Sequence, residues 1–473
     1  MALQWTTGRA CAAVRIAVLF GLMALTGSAP AWAADPQGRL LEGTLPSGAL
    51  WRARLPVHWN GTLLLYSHGY SPAVRPPLLA PAHLEEWLLA HGYALAASSY
   101  SRAGWALAEA VPDQLATLDA LHAQAIVPRQ TLAWGESMGG LVTIALAEQA
   151  PRRIDGALPA CGSIAGSLGM MNMALDGAFA FVTLVAPGQG IELVGVHDDR
   201  ANGRRAQAAL DEAMRSPAGR ARVALAGTLA GLPGWTQPDA AQPEERDPDA
   251  QLGQLAQSFV MGVLLPRVDQ EQRAGGVFSW NTGIDYRAQL AMSGRRSWVE
   301  SFYRAAGLDL EQDLDTLAAA ARIAGNPAAV SYMRDHYVPF AQPQVPVLSY
   351  HTIGDGLTSP SMQTAYGLAV RRNGRADRFS ALWIRGAGHC AISPAEHVAA
   401  LQTLQLRLRT GRWDVDPKRL DARAEATGLG SGRFVSFDAP AFLRPCVRTM
   451  PRCAGEPAGS TSAEPAQPPQ HGP

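Results

Sequence analysis

Residues Gly135-Glu136-Ser137-Met138-Gly139 have the form G-x-S-x-G. A serine hydroxyl is a weak nucleophile at neutral pH and attacks only when a base removes its proton. The spacing matters because a sharp strand-to-helix turn strains the central residue and leaves no room for side chains two positions either side. Gly135 and Gly139 supply that room, and Gly140 lets the following helix approach closely. With 47 glycines in the chain the pattern alone is a weak signal, so its setting decides. Thr131–Trp134 reads as the strand before it and Met138–Gln149 as the helix after it.

Eleven histidines compete to be the base. His389, in Gly386-Ala387-Gly388-His389, directly follows the last expected sheet strand, where it can lie over the serine. His351, inside or at the end of the preceding strand, is the weaker candidate, and His68 beside Gly69 reads as a loop support. A histidine base needs a carboxylate to hold its tautomer and stabilise the imidazolium. Asp355, in Thr352-Ile353-Gly354-Asp355-Gly356, would as a lone residue be a turn former. Its place in the order Ser…Asp…His favours the chemical role. The 34 residues from Asp355 to His389 fit one helix and one strand, which sets adjacent strand ends side by side. An oxyanion formed during acyl transfer needs two donors already aimed at it. The backbone N–H of Met138 is one, and Ser67-His68-Gly69-Tyr70 offers a second from Tyr70.

The elements that must position these groups follow a strand–helix alternation from Leu40 to Gly162. Strands are expected at Ala49–Leu55, Thr62–Tyr66, Tyr93–Ser98, Thr131–Trp134 and Ile154–Ala160, with helices near Ala82–Ala90, Pro112–Ala125 and Met138–Gln149. From about 164 to 344 the pattern is helical, with segments such as Arg205–Met214, Gln251–Leu264 and Leu314–Ile323. Alternation resumes with strand Val345–Tyr350, helix Ser361–Arg371, strand Leu382–Arg385 and helix Pro394–Leu408. Short apolar strands between amphipathic helices imply a mostly parallel sheet with helices on both faces. The expected organisation is a core in two parts, 34–163 and 345–412, split by a helical cap at 164–344 and followed by an extension at 413–473 that is disordered after about residue 454.

Forty basic and forty acidic side chains give a formal net charge of zero. That argues against a general nucleic-acid or anionic-membrane binder, since both depend on basic excess. Arg9 and Arg15, the apolar run Ile16–Leu25 and the small residues around Ala31-Trp32-Ala33 follow the secretory-signal order, with cleavage expected after Ala33. No second segment reads as long and apolar enough to be transmembrane, so no stable membrane insertion is expected after cleavage, and localisation is secreted or periplasmic. Four cysteines remain: Cys161, Cys390, Cys446 and Cys453. An even number in an exported chain suggests two disulfides in one of three connectivities. A local Cys446–Cys453 bridge is the simplest pairing, and it would leave Cys161 with Cys390.

In the cap, Trp235, Trp280 and Trp298 with Met170, Met171 and Met173 read as core or as the lining of an acyl pocket. His197-Asp198-Asp199 has metal-ligand types but no distant partner cluster. The sequence has no P-loop, no dinucleotide fingerprint and no zinc spacing, so neither cofactor nor metal is expected.

With the His68-Gly69-Tyr70 loop, the Gly135–Gly139 elbow, Asp355 and His389 each after an expected strand, the chain resembles the α/β-hydrolase superfamily over Leu40–Gly162 and Val345–Gly411. The resemblance implies a Ser137–His389–Asp355 triad and a cap inserted after the strand that follows the nucleophile helix. Cys390 beside His389 is also similar to the tannase and feruloyl esterase group, in which a disulfide joins the neighbours of the catalytic serine and histidine. This sequence departs from that pattern, because Glu136 precedes Ser137; a Cys161–Cys390 bridge would brace the histidine loop differently. The leading expectation is a secreted hydrolase of small-molecule or polymeric carboxylic esters. A serine peptidase of the same fold and a non-catalytic binding protein are the alternatives.

Overall fold

The computed structural model describes residues 38–448 apart from 82 and 265. The expected signal segment 1–33, Cys453 and the tail after residue 454 therefore lie outside the described residues. The chain opens with β1 (Arg39–Thr44), β2 (Leu50–Leu55), β3 (Thr62–Ser67), α1 (Glu85–Ala90), β4 (Ala94–Ser98), α2 (Leu107–Ala123), β5 (Gln130–Glu136), α3 (Met138–Gln149) and β6 (Gly156–Ala160). Helices follow: α4 (Ser167–Leu184), α5 (Asp199–Ala213), α6 (Pro217–Leu229), α7 (Pro248–Val263), α8 (Val268–Ala274), α9 (Tyr286–Met292), α10 (Arg296–Ala306), α11 (Leu310–Ala319) and α12 (Pro327–Tyr337). The chain then adds β7 (Val347–Gly354), α13 (Ser361–Arg372), β8 (Phe379–Ala387), α14 (Pro394–Thr410), α15 (Pro417–Ala426) and β9 (Phe434–Val435).

The strands form a single sheet in the order β1-β2-β4-β3-β5-β6-β7-β8-β9. From β4 to β8 neighbours are parallel, while β1, β2 and β9 add antiparallel at the edges. β3, β4 and β6 are buried along their whole length, as parallel strands covered on both faces should be. Alternate residues serve opposite layers. Leu63, Ala96, Ala133 and Val347 pack with Leu118 of α2, Val142 of α3 and Met362 of α13. Leu64, Leu132, Trp134 and Tyr350 pack with Leu88 of α1, Leu401 of α14 and Leu420 of α15. Each large side chain so buried contributes about 1.5–3 kcal/mol.

The helical insertion has a core of its own, built from α5, α6, α7, α9, α10, α11 and the second half of α4. The first half of α4 and most of α12 belong instead to the sheet's core, which roots the insertion. α4 corrects one expectation: its 18 residues, at mean hydropathy 1.3, are long and apolar enough to cross a bilayer by composition alone. The physical reason is burial within the protein, at 89% of the helix. At its centre Asp176 is held by Arg444, 2.8 Å away, in the C-terminal extension.

Two helices begin earlier than their apolar spacing predicts. α2 starts before the expected Pro112, which lies inside the helix, and just beyond it Asp113 accepts from Ser101 N and Gln114 donates to the Tyr66 carbonyl. α11 begins earlier than Leu314 because the Asp309 side chain caps the Glu311 N–H. α14 matches its sequence signals, with a Ser393–Glu396 capping box, Pro394 in the first turn and Gly411 in the left-handed region.

Candidate active site

Ser137 joins β5 to α3 with φ 57° and ψ −123°. A non-glycine residue held there costs on the order of 1–3 kcal/mol and persists only where surroundings enforce it. The enforcement is visible: Ser137 N–H donates to the Ala160 carbonyl at 3.1 Å, and Gly140 N–H donates back to the Ser137 carbonyl at 3.0 Å. The flanking glycines are obligatory. A Cβ on Gly139 would stand 1.9 Å from the Ser67 oxygen, and one on Gly135 2.4 Å from the Gly139 oxygen.

β7 and β8 are parallel neighbours, so their C-terminal ends bring Asp355 and His389 to the same edge as Ser137. His389 Nδ1 donates to Asp355 Oδ2 at 2.9 Å, and its Nε2 stands 2.8 Å from Ser137 Oγ. Because a carboxylate only accepts, Nδ1 carries the proton and Nε2 presents its lone pair to the serine. The structure thus brings together all three residues that the sequence selects for the chemistry.

Asp355 is fully buried. Its Oδ1 accepts from Leu357 N and Thr358 N at 2.9 and 3.0 Å, and Thr358 Oγ1 lies 2.9 Å from its Oδ2. Burial opposes ionisation, but the charge and hydrogen bonds of His389 and His351 outweigh it and hold the carboxyl below the ordinary range. Burial also opposes charge on His389, and there Asp355, with Glu136 behind, raises the imidazole above its ordinary value.

His351 is not a base at Ser137. Its Nε2 donates to the Thr358 carbonyl at 2.8 Å and lies 3.3 Å from Asp355 Oδ2, on the carboxylate rather than the nucleophile. His68 stacks on Tyr100 at 4.0 Å with Nδ1 on the Gly69 carbonyl, the loop-supporting place expected of it. That loop reaches the serine: a Cβ on Gly69 would stand 3.2 Å from Ser137 Cβ. Met138, as the first residue of α3, has no intrahelical acceptor for its N–H. Tyr70 follows Gly69 on the same loop and packs its ring near Trp105.

Cys161 and Cys390 form a disulfide with Cα atoms 5.3 Å apart, which ties the end of β6 to the residue after His389. Thr358 Oγ1 also lies 2.9 Å from the Cys161 carbonyl, so the bridge and the Asp355 turn share a brace. Cys446 is disulfide-bonded, and its expected partner Cys453 lies outside the described residues. Glu136, Cys161 and Cys390 group their ligand atoms within 4.8 Å, but cystine sulfurs are not thiolates and do not hold a metal in this state. His197 pairs with Glu192 and Asp198 caps α5, so the His197-Asp198-Asp199 run is structural.

Sequence reading missed Thr358 and the environment of Glu136. Thr358 has no motif to announce it. Glu136 hydrogen-bonds Tyr66 and sits 3.5 Å from His397, in a buried group behind the serine. Burial raises its pKa, while the Tyr66 hydrogen bond and the charge of His389 restrain the rise. The cap residues Met170, Met171 and Met173 are core, with Met170 and Met173 also bordering a small internal void.

No family model matches the chain. It is 28% identical over 437 residues to an o-phthalyl amidase of Xanthobacter agilis, covering 84% of this chain and 93% of that protein. Among solved structures it is similar to an esterase from Aspergillus oryzae, with TM-score 0.39, 14% identity and 78% of each chain covered. Feruloyl esterase B from Aspergillus oryzae gives TM-score 0.36 and 16% identity, over 79% of this chain and 80% of that one. The sheet order, the strained serine turn and the Ser–His–Asp contacts at the strand ends are those of an α/β-hydrolase, and the chain is a hydrolase of that fold.

Proposed function

We propose that the protein is an exported serine hydrolase that cleaves carboxylic esters through an acyl-enzyme on Ser137. The observation that carries this reading is the unbroken line Ser137 Oγ–His389 Nε2–His389 Nδ1–Asp355 Oδ2, at 2.8 and 2.9 Å. His389 takes the proton as Ser137 Oγ attacks the acyl carbon, and Asp355 stabilises the imidazolium that forms. Met138 and Tyr70 N–H groups receive the oxyanion. His389 returns the proton to the leaving oxygen, then activates the water that releases the acid. Export is supported by the signal-like order of residues 1–33 and by the Cys161–Cys390 bridge, since disulfides persist in oxidising compartments.

The relative named as an o-phthalyl amidase favours a second reading, in which the scissile bond is an amide. The triad serves either bond, because His389 protonates a leaving nitrogen as it does an oxygen. A panel of nitrophenyl esters and aryl anilides, run with wild type and Ser137→Ala, separates the readings. Ester turnover that disappears in Ser137→Ala supports the first, and a preference for anilides the second. Equal rates in the two proteins would remove both.

A further inference from the structure

A cavity of about 410 Å³ lies in the protein without Ser137, Asp355 or His389 in its lining. Stretches distant in sequence build it. Leu232 and Trp235 come from the loop after α6, Ile353 from the end of β7, and Phe437 and Leu443 from the C-terminal extension. Its volume is within the range of small-molecule sites, about 300–1,000 Å³. Its walls are mostly apolar, and among the described residues one cation lines it: Arg295, the residue before α10.

Arg295 lines the cavity and differs from three arginines that are paired with acids. Arg222, Arg273 and Arg444 each meet a carboxylate, at 2.8, 3.0 and 2.8 Å respectively. The Arg295 guanidinium has a backbone carbonyl, that of Leu232 at 3.0 Å, and the face of Trp298 at 3.9 Å. Both contacts orient it and neither supplies a negative charge. A guanidinium has five N–H donors, and a single carbonyl leaves most of them for a ligand. Burial pushes its pKa down to about 10 with no carboxylate opposing the shift, although Glu245 sits on the cavity's lining. Arg295 is only partly exposed, and an anion seated against it would gain charge-assisted hydrogen bonds from the guanidinium.

We propose that this cavity binds a small organic carboxylate with an aromatic or aliphatic body, its carboxylate on Arg295, in a lining that does not include the triad residues. A carboxylate matches the planar guanidinium fork and balances one charge with one charge. A phosphate dianion would leave excess charge among apolar walls. The aromatic and aliphatic lining suits a ring or short chain better than a polar body. The site lies beyond the hydrolytic reading, since no step at Ser137 involves Arg295.

The test uses full-length Ser137→Ala protein, so that binding is read without turnover. Tryptophan fluorescence and calorimetry follow titration with benzoate, benzamide and inorganic phosphate; Trp235 in the wall and Trp298 under the guanidinium are internal reporters. Benzoate is expected to bind saturably, with benzamide weaker by about tenfold or more because it loses the charge-assisted hydrogen bond, and phosphate weaker because its second charge and polar body meet apolar walls. Adding Arg295→Gln should weaken benzoate by at least about tenfold. Gln242→Trp, at an exposed lining position, should do the same by filling the cavity without touching its core. If Arg295→Gln does not fold, Arg295→Lys, which keeps the charge and loses the fork, should bind benzoate more weakly than the parent. Equal benzoate affinity in the Arg295 and Gln242 variants, or equal affinity for benzamide, overturns the proposal. Because hydrolysis is not measured, this result is independent of whether wild type turns over esters.

Discussion

Asp355 and Asp176 are both fully buried, one just past the end of β7 and the other at the centre of α4. Their surroundings push them in opposite directions. Asp355 faces two backbone N–H groups, a threonine and two imidazoles, and its pKa falls despite burial. Asp176 faces Arg444, Gln289 and Tyr286, yet burial prevails and its pKa rises. The first carboxylate is held beside an imidazole whose charge would change in the proposed reaction, so its electrostatics would serve turnover. The second is held by a permanent cation 268 residues away in sequence and fastens the cap's root to the C-terminal extension. The two sites teach that a buried acid is defined by what its partner can do with a proton.

The largest effect should come from Asp355→Asn, which keeps an acceptor for the backbone donors but turns an amide toward His389 Nδ1. Turnover is expected to fall by about 10⁴ with little change in melting temperature. Near-normal activity in a folded protein would reassign the acid. Arg444→Met should do the reverse, because it leaves Asp176 as an uncompensated buried charge. A loss of about 3–5 kcal/mol in denaturant unfolding is expected, with turnover per folded molecule retained. Adding Asp176→Asn should recover part of that loss, and unchanged stability in the single variant would erase the contrast.

Smaller effects probe the braces around the chemistry. Reducing Cys161–Cys390 frees the residue after His389, and misplacement of the base should lower kcat by up to about 100-fold. Activity and melting temperature unaffected by dithiothreitol would show that the bridge does not position the base. The pH profile gives the finest test. His389 must be neutral to accept the serine proton, and its folded pKa is raised, so kcat/KM should be lost as pH falls through a value above the ordinary imidazole figure of about 6.5. Glu136→Gln removes one of the charges that favour the imidazolium, so the acid limb should move to lower pH. A limb that stays in place would assign Glu136 to packing alone.

The meeting of Ser137, His389 and Asp355 is legible in the sequence because its signals are local. Each residue sits in a glycine-bearing turn after a strand, and strand order brings turns of neighbouring strands together. The edge strands β1 and β9 were not found: β9 is two residues long, and the Leu40 side chain of β1 is half exposed, which weakens any apolar pattern. His351 reads as a candidate base because the sequence places it near the same strand end without saying which way its ring turns. The Arg444–Asp176 pair and the Arg295 cavity arise from segments separated by long stretches of chain, and no residue spacing records such meetings. The alternation of strands and helices carried the core, while capping side chains such as Asp309 set helix ends that periodicity alone misplaces.

The central claim is that Ser137 is the nucleophile, activated through His389 by Asp355. Mass spectrometry of the intact protein after reaction with a fluorophosphonate, followed by peptide mapping, addresses it directly. The account predicts one phosphonyl adduct, on Ser137, formed in step with loss of ester hydrolysis and strongly slowed in Asp355→Asn. Adduct formation at another residue, or hydrolysis that survives complete modification of Ser137, would contradict it.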